Sequence, residues 1–168
     1  GVNDAPYAYE DRASVLANSG ATIIDVLAND TDVDIGDTKT VLTVDGNGRP
    51  PSFYLVEGST FTRVVPVAGV PAIKGTVAVA ADGQGIVYSA GSAFDSLRAG
   101  QTATEAIYYT MADRSGAQSG AYALITVTGV NDGPVAHADT IAIAKDAGPI
   151  TINVLANDTD VDIGDTKS

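Results

Sequence analysis

The chain has 168 residues, 45% of them apolar, and a net charge of -12. That is enough apolar content to bury a core of ordinary domain size, while the charge excludes a surface that neutralises a nucleic-acid backbone or docks on anionic lipid. Cysteine is absent, so neither disulfides nor thiolate metal sites are available, and bound ions remain as a means of stiffening an extracellular chain.

Of the 21 acidic residues, 18 are Asp and three are Glu. Asp favours turns and metal loops where Glu favours helices, which places the acid in loops. No leader opens the chain and no apolar run approaches a membrane span. Its first residues, Gly1-Val-Asn-Asp-Ala-Pro6, read as a cut inside a longer polypeptide, so an export signal is expected elsewhere.

In chain order, short alternating runs rich in Val, Ile, Thr and Tyr predict strands at Tyr7 to Leu16, Ala21 to Leu27, Thr40 to Val44, Thr76 to Ala80, Gly85 to Ser89, Ala103 to Met111 and Ala121 to Thr128. Seven strands with turn residues between them and no amphipathic helix fit an all-β, Ig-like sandwich. In the last strand Ala123, Ile125 and Val127 alternate with Leu124, Thr126 and Thr128, and the first set is expected to face the core. The stretch Pro50 to Pro71 is longer than a minimal sandwich needs.

Between the second and third strands lies Asn29 to Asp37, N-D-T-D-V-D-I-G-D. Four carboxylates this close repel one another unless something neutralises them. Calcium takes six to eight oxygen ligands at roughly 2.3 to 2.6 Å, and an alternating Asp run followed by Gly lets a tight loop aim successive side chains at one ion. The plainer alternative is a solvated Asp-rich turn, since Asn, Asp and Gly are ordinary turn residues. The loop is not an EF-hand: counted from Asp30, the sixth residue is Ile35 and the twelfth is Val41, where that motif needs Gly and Glu. Ligands beyond Asp30, Asp32, Asp34 and Asp37 must come from backbone or from other segments.

The same nine residues return at Asn157 to Asp165, and Gly1 to Pro6 returns as Gly129-Val-Asn-Asp-Gly-Pro134, both displaced by 128 residues. The chain is thus read as one complete repeat, residues 1–128, a junction linker, 129–134, and the N-terminal part of the next repeat, 135–168. Within the last segment, strands are expected at Thr140 to Ala144 and Ile150 to Leu155.

Ile125-Thr-Val-Thr-Gly-Val-Asn-Asp-Gly-Pro134, Val26-Leu-Ala-Asn-Asp-Thr-Asp-Val-Asp34, and the stretches from Gly75 to Tyr88 and Tyr108 to Gly116 resemble the cadherin-like (VCBS) repeats of large bacterial RTX-type surface adhesins. The resemblance covers nearly the whole chain, with two departures: Ala112-Asp-Arg-Ser-Gly116 stands where the family has D-G-x-G, and 50–71 is an insertion. It implies an Ig-like or cadherin-like sandwich, a secreted protein of the bacterial cell surface and biofilm, and calcium at domain junctions.

In such a sandwich the chain enters at a leading pole and leaves at a trailing pole, and the second-to-third strand loop lies at the leading pole. Asp30, Asp32, Asp34 and Asp37 are then expected near Asn3 and Asp4, and Asp158, Asp160, Asp162 and Asp165 near Asn131 and Asp132. The trailing pole is expected to add acids from Asp11, Asp95 and Glu105.

The remaining candidates are bland. His137 is a lone histidine without zinc partners, Gly83-Gln-Gly85 opens no helix, and a glycosidase cleft is ill-served by a chain with no tryptophan. Asp82 and Asp113 read as hairpin-turn residues, Asp113 at the leading pole where it could also assist an ion. No enzyme is expected. The leading hypothesis is a calcium-stabilised spacer whose partners are neighbouring repeats of the same polypeptide, any host or biofilm ligand being bound by other domains. The alternative is a binding module that presents Phe53, Tyr54 and Phe61 from the 50–71 insertion to a cell-surface protein or carbohydrate. For 135–168, a monomer held by junction calcium is favoured over a strand-swapped assembly.

Overall fold

In the computed structural model, residues 1–45, 53–56, 60–63 and 73–167 are described. Among the described residues nine strands form: β1 (Asp11–Leu16), β2 (Thr22–Ile24), β3 (Thr40–Asp45), β4 (Phe53–Val56), β5 (Thr60–Arg63), β6 (Thr76–Val79), β7 (Ile86–Ser89), β8 (Thr102–Ala112) and β9 (Gln118–Thr128). One sheet has the order β1-β9-β8-β3 and another β2-β7-β6, while β4 and β5 make a separate hairpin. This is the all-β, Ig-like sandwich expected, with seven strands in the two main sheets. Among the described residues, no helix is long and apolar enough to cross a membrane.

The core follows from period two. Ala123, Ile125 and Val127 on β9 and Ile107, Tyr109 and Met111 on β8 are fully buried in one cluster with Ile86 and Tyr88 of the opposing sheet and Val26 of the connection after β2. Burying an aliphatic side chain of this size contributes about 1.5 to 3 kcal/mol. The two sheets are also tied by a buried polar contact: Glu105 on β8 accepts from the Tyr88 hydroxyl on β7 at 2.6 Å and from the backbone N–H groups of Lys74 and Gly75.

Strand direction fixes the poles. β1 runs parallel to β9, Asp11 beside Ala123 and Leu16 beside Thr128, so the chain enters and leaves at opposite ends. β8 is antiparallel to β9 and β3 to β8. The loop leading into β3 and the β8–β9 turn therefore share the leading pole, and the approach to β8 lies at the trailing pole beside Gly129. There Gly129 accepts from the Gly100 N–H at 3.0 Å and donates to the Gln101 carbonyl at 2.8 Å.

Several expectations are corrected. The first strand begins at Asp11, not Tyr7, because the preceding backbone pairs with the acidic loop through the Tyr7–Thr31 bridge. The insertion holds the β4–β5 hairpin, an addition to the seven strands predicted; its side chains, and with them the binding surface expected of Phe53, Tyr54 and Phe61, lie outside the described residues. Thr140 to Ala144 and Ile150 to Leu155 form no strands, and Ile141, Ile143, Ile150, Ile152 and Val154 are exposed. By the 128-residue shift these segments match β1 and β2, which are held by β9 and β7.

Candidate metal centre

The leading pole is assembled by the acidic loop gripping the linker. Tyr7 and Thr31 exchange two backbone hydrogen bonds, at 2.8 and 3.1 Å. The Tyr9 N–H donates to Asp30 Oδ1 at 2.7 Å, and the Asn29 side chain donates to the Glu10 carbonyl at 3.1 Å. Closer to the pole the Asp4 N–H donates to Asp34 Oδ2 at 2.8 Å, while the Asp34 N–H turns back onto Asp32 Oδ1 at 2.8 Å. The turn closes through Gly36 at φ 85°, a left-handed conformation that glycine adopts without steric cost.

These contacts bring together Asp32, Asp37 and Asp113, each offering a carboxylate oxygen within 4.8 Å of the others. Asp113, on the β8–β9 turn, is the member that the nine-residue run does not reveal; the parallel course of β3 and β9 carries it there. Burial opposes its ionisation. Hydrogen bonds from Asn3 and from the backbone N–H groups of Ala117, Gly116 and Ser115 outweigh that and hold the carboxyl below its ordinary range. Asp37 is aimed by the Thr38 and Arg114 N–H groups, at 2.7 and 3.1 Å. Asp32 Oδ2 is buried without a hydrogen-bond partner.

The second copy reproduces the loop-to-linker contacts of the first. Val135 bridges Thr159, the His137 N–H donates to Asp158 Oδ1 at 2.8 Å, and Asn157 donates to the Ala138 carbonyl. The Asp132 N–H donates to Asp162 Oδ2 at 2.8 Å, and the Asp162 N–H to Asp160 Oδ1 at 3.0 Å. Lys39 binds the Asp30 carbonyl and Lys167 the Asp158 carbonyl in the same way. The loop and its linker thus keep their shape where the flanking strands do not form, which makes them a local unit.

At the junction Asp160, Asp162 and Asp165 form a second group, in which Asp162, the counterpart of Asp34, stands in place of the β8–β9 turn carboxylate. Asp162 is only 2% exposed and its Oδ1 has no hydrogen-bond partner; Asp132 Oδ2 is likewise buried and unpartnered. The preceding repeat closes over this loop. Arg98 Nε lies 3.1 Å from Asp165 Oδ1, the Ile163 N–H faces the Ser96 carbonyl at 3.5 Å, and the Arg98 guanidinium fills the space a Cβ on Gly164 would need. Val161 is 47% exposed, against 74% for its free counterpart Val33.

Not every expected residue joins a group. Asp30 turns inward to the Tyr109 hydroxyl at 3.0 Å, and Asp158 holds the linker. Asn3 orients Asp113, Asp4 and Asp132 act through backbone N–H groups, and Asn131 turns to the Asp132 carbonyl. Asp95 closes the short 3-10 helix Gly91–Phe94 through its N–H and belongs to neither carboxylate group. Two trailing-pole acids are corrected outright. Asp11 lies beside Asp30 and Tyr109 on the leading side, because the parallel register puts it at the start of β1. Glu105 is consumed by Tyr88, Lys74 and Gly75. The trailing pole instead contributes Arg98, a cation.

Chemically, both groups are all-oxygen and anionic, with buried lone pairs that no N–H satisfies. A buried acceptor left unpaired costs about 1 to 3 kcal/mol, more when charged. A hard divalent cation removes that cost and the mutual repulsion together.

A family model described as a bacterial Ig domain matches residues 3–128. No curated protein matches the chain.

Proposed function

The chain belongs to the bacterial Ig domain family, and on that premise we propose that it is a calcium-stabilised extender repeat of a secreted bacterial adhesin. Each calcium stiffens the junction between one repeat and the next. The reading is of a surface-protein module, not an enzyme: its chemistry is ion binding at the poles, and its partners are the neighbouring repeats.

The observation that carries it is Asp162. Its carboxylate is almost wholly buried between two repeats, one oxygen held by the linker at Asp132 and the other without a partner beside Asp160 and Asp165. An ion there touches the linker's neighbour, the following loop and, through Asp165, the surface of the preceding repeat. Calcium would be held by Asp160, Asp162 and Asp165 at the junction and by Asp32, Asp37 and Asp113 at the free leading pole. It would supply charge neutralisation and a fixed coordination geometry. The narrower likeness to cadherin-like adhesin repeats supports the same reading, as does the exact return of the nine-residue loop.

Calorimetric titration of the whole chain with calcium tests this. Binding that Asp162→Asn and Asp32→Asn each diminish supports the proposal; no measurable heat and no change in melting at millimolar calcium would sink it.

A further inference from the structure

Behind the polar loop, between β1, the β2–β3 connection and β8, lies a second acidic group that neither pole uses. Asp11 is 8% exposed, and its Oδ2 is buried without a hydrogen-bond partner. Asp30 is buried beside it. Asp30 Oδ1 takes the Tyr9 N–H, but its Oδ2 faces the Tyr109 hydroxyl at 3.0 Å. The same hydroxyl lies 2.9 Å from the Val26 carbonyl and 3.4 Å from the Tyr9 carbonyl, and it also faces Asp11.

The hydrogen-bond inventory does not close. A tyrosine hydroxyl carries one proton, and here two carboxylates and two carbonyls converge on it. The fully buried Tyr109 ring puts this oxygen cluster against the apolar core, where water cannot substitute freely. The Lys39 ammonium donates its hydrogen bond to the Asp30 carbonyl and reaches the carboxylate only through space.

The repeat adds an independent observation. Shifted by 128 residues, Asp11 and Asp30 return as Asp139 and Asp158, whereas their neighbours Glu10, Arg12 and Asp25 become Ala138, Thr140 and Asn153. Asp11 is thus kept although both of its chain neighbours and Asp25 change.

We propose that Asp11 and Asp30, with the Val26 carbonyl and the Tyr109 hydroxyl, bind a divalent cation inside the repeat, separate from the ions at its poles. Two carboxylates balance two positive charges, and every donor is a hard oxygen of the kind calcium takes. The site pins the first strand to the acidic loop from within. It therefore acts on the repeat's own fold, while the polar groups act on the junction.

The test is a calcium count on the full chain by equilibrium dialysis, with Asp11→Asn and Asp32→Asn measured beside the parent. Asp11→Asn should lose one ion and keep those at the poles. Asp32→Asn should keep the interior ion, which distinguishes failure of this site from failure of the polar reading. Terbium supplies a second readout, since tyrosine excitation sensitises a bound lanthanide: Tyr109→Phe should lower the emission at least twofold. An unchanged ion count in Asp11→Asn, or loss of the same ion in both Asp variants, overturns the proposal, as does undiminished terbium emission in Tyr109→Phe.

Discussion

Arg98 Nε, in the complete repeat, lies 3.1 Å from Asp165 Oδ1 in the segment that follows it. The two side chains are 41% and 35% exposed, so solvent screens the pair and it is worth no more than about 1 kcal/mol. The arginine therefore guides the junction and does not lock it. Arg98→Gln is expected to raise hydrogen exchange in residues 135–167 by less than about fivefold in chelator, with the difference shrinking once calcium is added. An increase beyond tenfold that calcium leaves untouched would show that the arginine, not the ion, holds the junction.

Removing metal should destabilise the fold itself. An ion that binds only the folded chain contributes about 2.7 kcal/mol per site at a hundredfold excess over Kd. Melting in millimolar calcium is expected several degrees higher than in chelator. Superimposed melting curves would contradict this.

Acid-base behaviour of the metal-free chain turns on Asp11. Burial raises its carboxyl from 3.8 to about 6 in the folded state. The folded chain thus holds the proton more tightly than the unfolded chain does, so the associated stability is present below about pH 4 and lost as pH rises through about 6. In chelator near pH 7.5, Asp11→Asn should exceed the parent in stability by on the order of 2 kcal/mol, and the gap should close on acidification. With calcium the order should invert. Denaturant titrations at several pH values read both signs; a gap that widens towards acid would contradict the assignment.

Glu105 is predicted to be indifferent to metal. Its carboxylate joins the two sheets through Tyr88 and the Lys74 and Gly75 N–H groups. Glu105→Ala leaves the buried Tyr88 hydroxyl without its acceptor and frees the part-buried Lys74 and Gly75 N–H groups, at a cost of roughly 1 to 3 kcal/mol. The loss should be equal in calcium and in chelator, judged by chemical denaturation, and a loss confined to calcium would return Glu105 to the list of ligands.

Much of this arrangement is legible in the sequence. Alternation on β9 placed Ala123, Ile125 and Val127 in the core, and strand order placed Asp34 beside Asp4. Spacing along the chain could not distinguish Asp30 from Asp32. Both belong to one acidic run, yet Asp30 turns to Tyr109 and Asp32 to the pole, a division made by the core behind the loop. Asp11 falls on the leading side and not part-way up its strand because the linker backbone is captured by Thr31, so that sheet pairing starts only at Asp11. Asp113 carries a turn residue's signature, and its second role depends on which pole the β8–β9 turn occupies. The strands expected over Thr140 to Ala144 and Ile150 to Leu155 do not form, since apolar alternation shows what a segment would bury but not what pairs with it.

Small-angle scattering on three or more tandem repeats, with calcium and with chelator, tests most directly whether the junction ion makes a rod of the array. In chelator, the carboxylates around each short linker repel and leave it free to bend. Calcium should lengthen the maximum dimension and sharpen the scattering of a stiff rod; a maximum dimension unchanged by calcium would contradict the spacer mechanism.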